Sequence, residues 1–231
     1  MKFKDGLMRK KNIGYLCGII GITQFVFLTI IAMVIYPGGY SFWNNYFSHL
    51  GTFTSLINGE SSIGSYIIWI ITCSITSICL IPFWLTLRNN FLKSMIEHKI
   101  SKIGTILGIA SLPFLALIAL FPIEFKNMTP SSPFYNLFFI FEILHLLSMY
   151  VFFILFATAI IMYSIDFFIN KDYNPILGIY GVIVAIIIII EIVFPVQLGA
   201  TFQKVTVYSS ISFVVVCSLY FPIRTMNLNV N

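Results

Sequence analysis

The chain has 231 residues, of which 59% are hydrophobic and only 9% charged, and its mean hydropathy is +0.97. That balance excludes an ordinary soluble domain and implies a chain whose solvent is lipid. The net charge of +5 sits in the connections between apolar runs, where it follows membrane topology and gives no support to nucleic-acid binding.

A helix needs roughly 20 apolar residues to cross a ~30 Å hydrocarbon layer. Runs of that length fall at 13–36, 63–87, 103–123, 137–165, 176–195 and 205–223. They predict an all-α, polytopic membrane bundle of six transmembrane helices, with residues 1–231 as a single transmembrane domain. The first run follows a basic start, Met1 to Asn12, and ends in Tyr36-Pro37-Gly38-Gly39 without a small-x-small cleavage site. It is too long for a cleaved signal and predicts a retained anchor. Lys2, Lys4, Arg9, Lys10, Lys11, Arg88, Lys93, Lys99, Lys102, Lys171 and Arg224 all fall on one side of the spans, with only Lys126 and Lys204 opposite. Positive residues stay on the cytoplasmic side, so both termini are expected there, in a multi-pass protein of the cell membrane.

In the first outer loop, winding at about 100° per residue gathers Phe42, Trp43, Tyr46, Phe47 and Leu50 on one side and Asn44, Asn45, Ser48 and His49 on the other. This predicts a short interfacial helix over 42–50, ended by Gly51, with its aromatic face among lipid headgroups. Pro82, Pro113, Pro195 and Pro222 predict kinks in or at the ends of spans. Cys17, Cys73, Cys79 and Cys217 fall inside spans and imply neither a disulfide framework nor a CxxC metal pair. Asn127-Met128-Thr129 reads as a glycosylation sequon, but its closeness to the membrane and the following Pro130 make it a chance match.

The carboxylates divide by side. Asp5, Glu97, Asp166 and Asp172 are expected in solvated cytoplasmic loops and helix ends, whereas Glu60, Glu124, Glu142 and Glu191 belong to the outer side. At ~1.5 Å per residue, Glu142 lies about 9 Å and His145 about 14 Å below the start of the fourth span at Asn136. They share a helix face, with Ser148 one turn on. Glu191 sits one turn below Pro195, Glu124 closes Leu120-Phe121-Pro122-Ile123-Glu124, and Lys204 opens the last span beside Gln203, with Tyr208 one turn further. A charge inside a span costs at least ~2.5–3.5 kcal/mol on insertion scales, so such residues turn inward and find partners.

The expected product is an outer-side polar cavity lined by His49, Glu124, Glu142, His145, Glu191 and Lys204. His145, His49, Glu142 and Glu124 are its candidate catalytic groups, and Asn45, Ser48, Glu191, Gln203 and Lys204 its candidate ligand-binding groups. The same cluster would also serve as a buried network that merely fixes helix packing. Glu142-x-x-His145 matches half of a di-iron helix motif, but the second half and any HExxH are absent, so neither metal nor cofactor is predicted. Membrane lipids, or a small polar ligand, are the expected partners, and protein partners are not legible. The leading expectation is binding of a lipid headgroup or small polar ligand. An intramembrane lipid hydrolase or transferase is the alternative, pairing Ser48 or Ser148 with His145 or His49 as base and a glutamate to orient it. A small proton-coupled transporter is the second alternative. Against it, Gln24, Thr72 and Thr76 are the main polar groups at mid-depth and none is ionisable.

Taken in order, Asn45-Tyr46-Phe47-Ser48-His49-Leu50-Gly51, Leu120-Phe121-Pro122-Ile123-Glu124, His145, and Gly199 with Gln203-Lys204 resemble the six-helix membrane family known as domain of unknown function 998. Ser48, Leu50 and Gly51 match the first motif. The family usually has an acid where this chain has His49, and more often Arg where it has Lys204, so a mechanism needing a carboxylate at 49 or a bidentate guanidinium at 204 is not supported. The resemblance implies a six-helix architecture without a settled activity.

Overall fold

The structure, a computed structural model, describes residues 2–124 and 131–228, with side chains over 12–124, 131–195 and 197–224. Lys126 and the sequon at 127–129 lie outside the described residues. The helices are α1 (Lys2–Val34), α2 (Ile63–Arg88), α3 (Met95–Leu120), α4 (Tyr135–Ile169), α5 (Ile176–Val193) and α6 (Pro195–Leu228). Each contains a segment long and apolar enough to cross a membrane, so the six predicted runs are all helices of a multi-pass membrane bundle. Each helix packs on its sequence neighbours, and α6 returns against α1, closing a ring of six. The end carrying 89–94 and 170–175 is called the basic end here, and the end carrying 35–62 the mouth.

The two ends of the ring are filled differently. Toward the basic end, Tyr15, Phe83, Trp84, Phe91, Tyr163 and Phe167 form one buried aromatic mass. Within it Trp84 stacks on Tyr163 at 5.7 Å and Phe91 meets Phe167 edge-on at 5.2 Å. Small residues let the helices close around it. A Cβ on Gly14 of α1 would stand 2.2 Å from the Pro82 carbonyl of α2, and a Cβ on Gly108 would stand 2.5 Å from the Trp84 indole. At the mouth a smaller cluster gathers Phe25, Tyr36, Phe47, Leu50 and Trp69, with the Phe47 and Trp69 rings parallel at 6.2 Å. Isoleucines such as Ile67, Ile71 and Ile78 face outward along α2, which is the surface lipid would cover.

Local chemistry shapes the ends of the helices. Ser94 caps α3, its hydroxyl accepting the Glu97 N–H at 3.2 Å. α6 breaks at Gly199, whose φ of 69° suits a residue without Cβ.

Two expectations need correction. The helix predicted over 42–50 is only a 3-10 turn, Phe47–Gly51, preceded by turns. Asn45 Oδ1 accepts the Ser41 N–H at 2.9 Å and Ser41 Oγ accepts the Asn44 N–H at 3.3 Å, so side chains take the donors a helix would use. Phe47 and Leu50 then plug into the mouth against Phe25 and Trp69, and Trp43, 65% exposed, keeps the outward position expected of the whole face.

Glu97 and Asp166, expected in solvent, are both buried. α4 runs on to Ile169, past the predicted end at 165, and carries Asp166 into the bundle. Glu97 accepts from Asn170 Nδ2 at 3.0 Å, whereas neither Asp166 oxygen has a hydrogen-bond partner among the described residues. Asp172 remains at the surface, paired with Lys93.

Candidate functional site

Where the aromatic mass of the basic end stops, the ring encloses a cavity of about 80 Å³. Trp69, Ser48 and His145 stand near its top, and Leu80, Phe156 and Val214 at its floor. From Gln203 to Val214 along α6 its wall is about 16 Å long at ~1.5 Å per residue. Most of that wall is aliphatic or aromatic. Of its polar side chains, Thr76 and Ser210 turn back on their own helices, donating to the Thr72 and Thr206 carbonyls at 2.8 Å. Ser48, His145 and Gln203 remain, besides the Trp69 indole N–H, which is buried without a partner among the described residues and lies against Gly51.

Each of these three is nine-tenths buried or more and is positioned by a different element. His145, on α4, has Nδ1 2.9 Å from the carbonyl oxygen of Phe121, and the Ile118 carbonyl makes a weaker contact with the ring. These carbonyls lie in the last turn of α3 and just past it, where helical partners run out, so His145 also acts as a side-chain cap. Gln203, on α6, accepts the Phe47 N–H at 2.9 Å through Oε1, which holds the 3-10 turn over the cavity. Ser48 follows Phe47 in that turn, its hydroxyl making no hydrogen bond among the described residues.

The other candidates have separate surroundings. Glu124, 1% exposed, accepts the backbone N–H groups of Phe53 and of Thr54, the latter at 2.8 Å, and so anchors the chain just after the turn. Lys204, 2% exposed, donates to the Asn45 carbonyl and lies 3.4 Å from that of Ala200. Its ammonium also stands 5.6, 5.2 and 5.3 Å from the ring centres of Tyr40, Phe42 and Phe47. Asn45 Nδ2 is 3.2 Å from His49 Nδ1, and the His49 ring meets Tyr46 at 5.4 Å.

Glu191 is buried with one oxygen unpartnered among the described residues, and Glu142 likewise has one buried oxygen without a hydrogen bond. Burial pushes the Tyr46 phenol above its usual pKa, and the nearby Glu191 charge adds to the shift. Burial, with Tyr208 and Tyr36 beside it, does the same to Tyr40.

The nine candidates therefore fall into three groups: Ser48, His145 and Gln203 on the cavity; Asn45 and His49 in the loop that covers it, with Glu124 and Lys204 bonded to that loop from α3's end and from α6; and Glu142 and Glu191, which make no hydrogen bond to either group among the described residues. The cavity's apolar wall carried no sequence signal, since Trp69 or Phe156 reads like any other residue of a lipid-facing run. Among the described residues, no group of three or more His, Cys, Asp or Glu is placed to hold a metal ion.

A family model described as protein of unknown function (DUF998) matches residues 19–222. No curated protein and no solved structure matches the chain. The match runs from the middle of α1 to the last turns of α6 and takes in all nine candidate site residues. The chain belongs to the DUF998 family.

Proposed function

We propose that this protein is a cell-membrane protein that holds one amphiphilic ligand, drawn from membrane lipids, in a cavity entered from the extracytoplasmic side. The supporting observation is the single place where Ser48, His145 and Gln203 meet an otherwise apolar, elongated cavity. A ligand site of this kind combines an apolar wall with a few placed polar groups that fix orientation. The ligand's apolar part would lie against Ile211 and Phe156, with its polar end beneath Phe47. Packing below Leu80 and Val214 by Phe83, Trp84 and Tyr163 closes the floor, which favours holding over passage through the bundle. An Ile211→Trp variant, filling the cavity from α6, provides the test. Purified protein is expected to retain an amphiphile, seen by native mass spectrometry, that Ile211→Trp lacks while keeping its helical circular dichroism. An identical lipid complement in both proteins would overturn the reading.

The hydrolase or transferase alternative uses the same cavity, because a hydroxyl and an imidazole both line it. It would take Ser48 as nucleophile and His145 as base, oriented by the Phe121 carbonyl where a glutamate was expected. Release of fatty acid from lipid by wild type but not by Ser48→Ala would favour it.

A further inference from the structure

We infer that the polar end of the bound amphiphile is an uncharged O–H group, a hydroxyl or carboxylic acid on a single chain, that donates to His145 and accepts from Gln203. This rests on the amphiphile reading above and goes on to name the ligand's chemistry.

The hydrogen-bond pattern carries the inference. A carbonyl oxygen can only accept, so His145 Nδ1, 2.9 Å from Phe121 O, must bear the proton. With that proton on Nδ1, Nε2, which makes no hydrogen bond among the described residues, is left to serve as an acceptor. Gln203 is fixed in the same way. Its Oε1 must face the Phe47 N–H, because the opposite flip would set a donor against a donor. The amide NH₂ is left as a donor, with no partner among the described residues. Ser48 Oγ, on the same cavity, can donate or accept. One fixed acceptor, one fixed donor and one hydroxyl thus line a single cavity.

An alcohol oxygen or a carboxylic acid satisfies both fixed groups. An ether or ester leaves Nε2 without a donor, and a quaternary ammonium has neither function. A phosphodiester would need a cation, but Lys204, beside Gln203, is engaged by the Asn45 carbonyl and three ring faces and does not line the cavity. Burying that charge unpaired is costly. Shape argues for one chain: a cavity of about 80 Å³ drawn out along a wall about 16 Å long, at ~1.5 Å per residue, is too narrow for two acyl tails side by side.

The test offers delipidated protein, by native mass spectrometry in competition, equal amounts of octanol, protonated octanoic acid, methyl octyl ether and octyltrimethylammonium. Octanol, octanoic acid or both should be retained about tenfold more than the ether, the scale of one buried hydrogen bond left unmade, and whichever binds identifies the natural class. Gln203→Glu keeps the acceptor for Phe47 but loses the NH₂ donor that alcohol and ether oxygens accept alike, so it should weaken ether retention at least as much as alcohol retention and leave this preference in place. His145→Phe should abolish it while ether binding persists; should that variant fail to fold for want of the α3 cap, the alcohol-to-ether ratio of wild type carries the test. Equal retention of ether and alcohol, or preference for the ammonium compound, overturns the O–H assignment and leaves the amphiphile reading standing. If wild type retains none of the four, or if Ile211→Trp retains them as wild type does, the amphiphile reading itself fails.

Discussion

Gln203 Oε1 and the backbone N–H of Phe47 are 2.9 Å apart although 156 residues separate them in sequence. This bond joins the last helix to the turn covering the mouth, and it is buried, so removing the acceptor leaves an N–H with no water to turn to. Gln203→Leu is expected to destabilise the protein by about 1–3 kcal/mol, read as a lower thermal midpoint in detergent micelles.

Glu124 serves the other flank of the same turn through two backbone donors, Phe53 and Thr54. Glu124→Ala orphans both, and a loss of about 1–3 kcal/mol is expected from two part-buried N–H groups left unpaired. Loop 37–62 should become more sensitive to limited proteolysis. Glu124→Gln, which keeps a carbonyl oxygen, should stay close to wild type in the same assay.

Lys204 is held by carbonyls and aromatic faces, with no carboxylate in hydrogen-bond contact among the described residues. Replacing it with Met should cost about 1–2 kcal/mol through the lost carbonyl bond and ring contacts. Because its partners carry no net charge and it is shielded from solvent, the thermal midpoint of wild type should change little with added salt where this contact is concerned. A steep salt dependence that vanishes in Lys204→Met would contradict this account.

Asp166 predicts a gain. Its carboxylate is 0% exposed and lacks hydrogen bonds among the described residues, and Glu97 is close enough to act on it electrostatically. A carboxylate buried without hydrogen bonds and beside a second acid is costly, so the neutral, nearly isosteric Asp166→Asn should raise the thermal midpoint. A midpoint well below wild type would show that the carboxylate has a partner or role of its own.

Gly14 and Gly64 make a matched contrast. A Cβ at Gly14 would stand 2.0 Å from Thr86 Oγ1 and 2.2 Å from the Pro82 carbonyl, whereas at Gly64 its nearest neighbour is Ile35 Cδ1 at 3.4 Å. Gly14→Ala must push α1 off α2 and should cost about 1–3 kcal/mol. Gly64→Ala, inside a helix where Ala is favoured, should be neutral or stabilising by up to about 1 kcal/mol.

The six helices were legible because spanning lipid is a local requirement: a run such as 176–195 must satisfy its own backbone whatever surrounds it, and its length and hydropathy state this directly. The sequence by itself also placed most of the unusual polar residues, among them His145, Gln203 and Lys204, near the mouth, because charge is costly in a span and its position can be counted in turns. Their partners were not legible. That Lys204 meets the Asn45 carbonyl and not a glutamate, that Glu124 anchors backbone donors, and that His145 caps α3 all depend on which helix faces which, and isoleucine-rich surfaces satisfy lipid and protein neighbours alike. Asp166 was misplaced for the same reason, since four further residues of α4 turned a solvated end into a buried one. Only the closed ring, dense with aromatics at the basic end and hollow toward the mouth, separated three polar groups facing a cavity from the others.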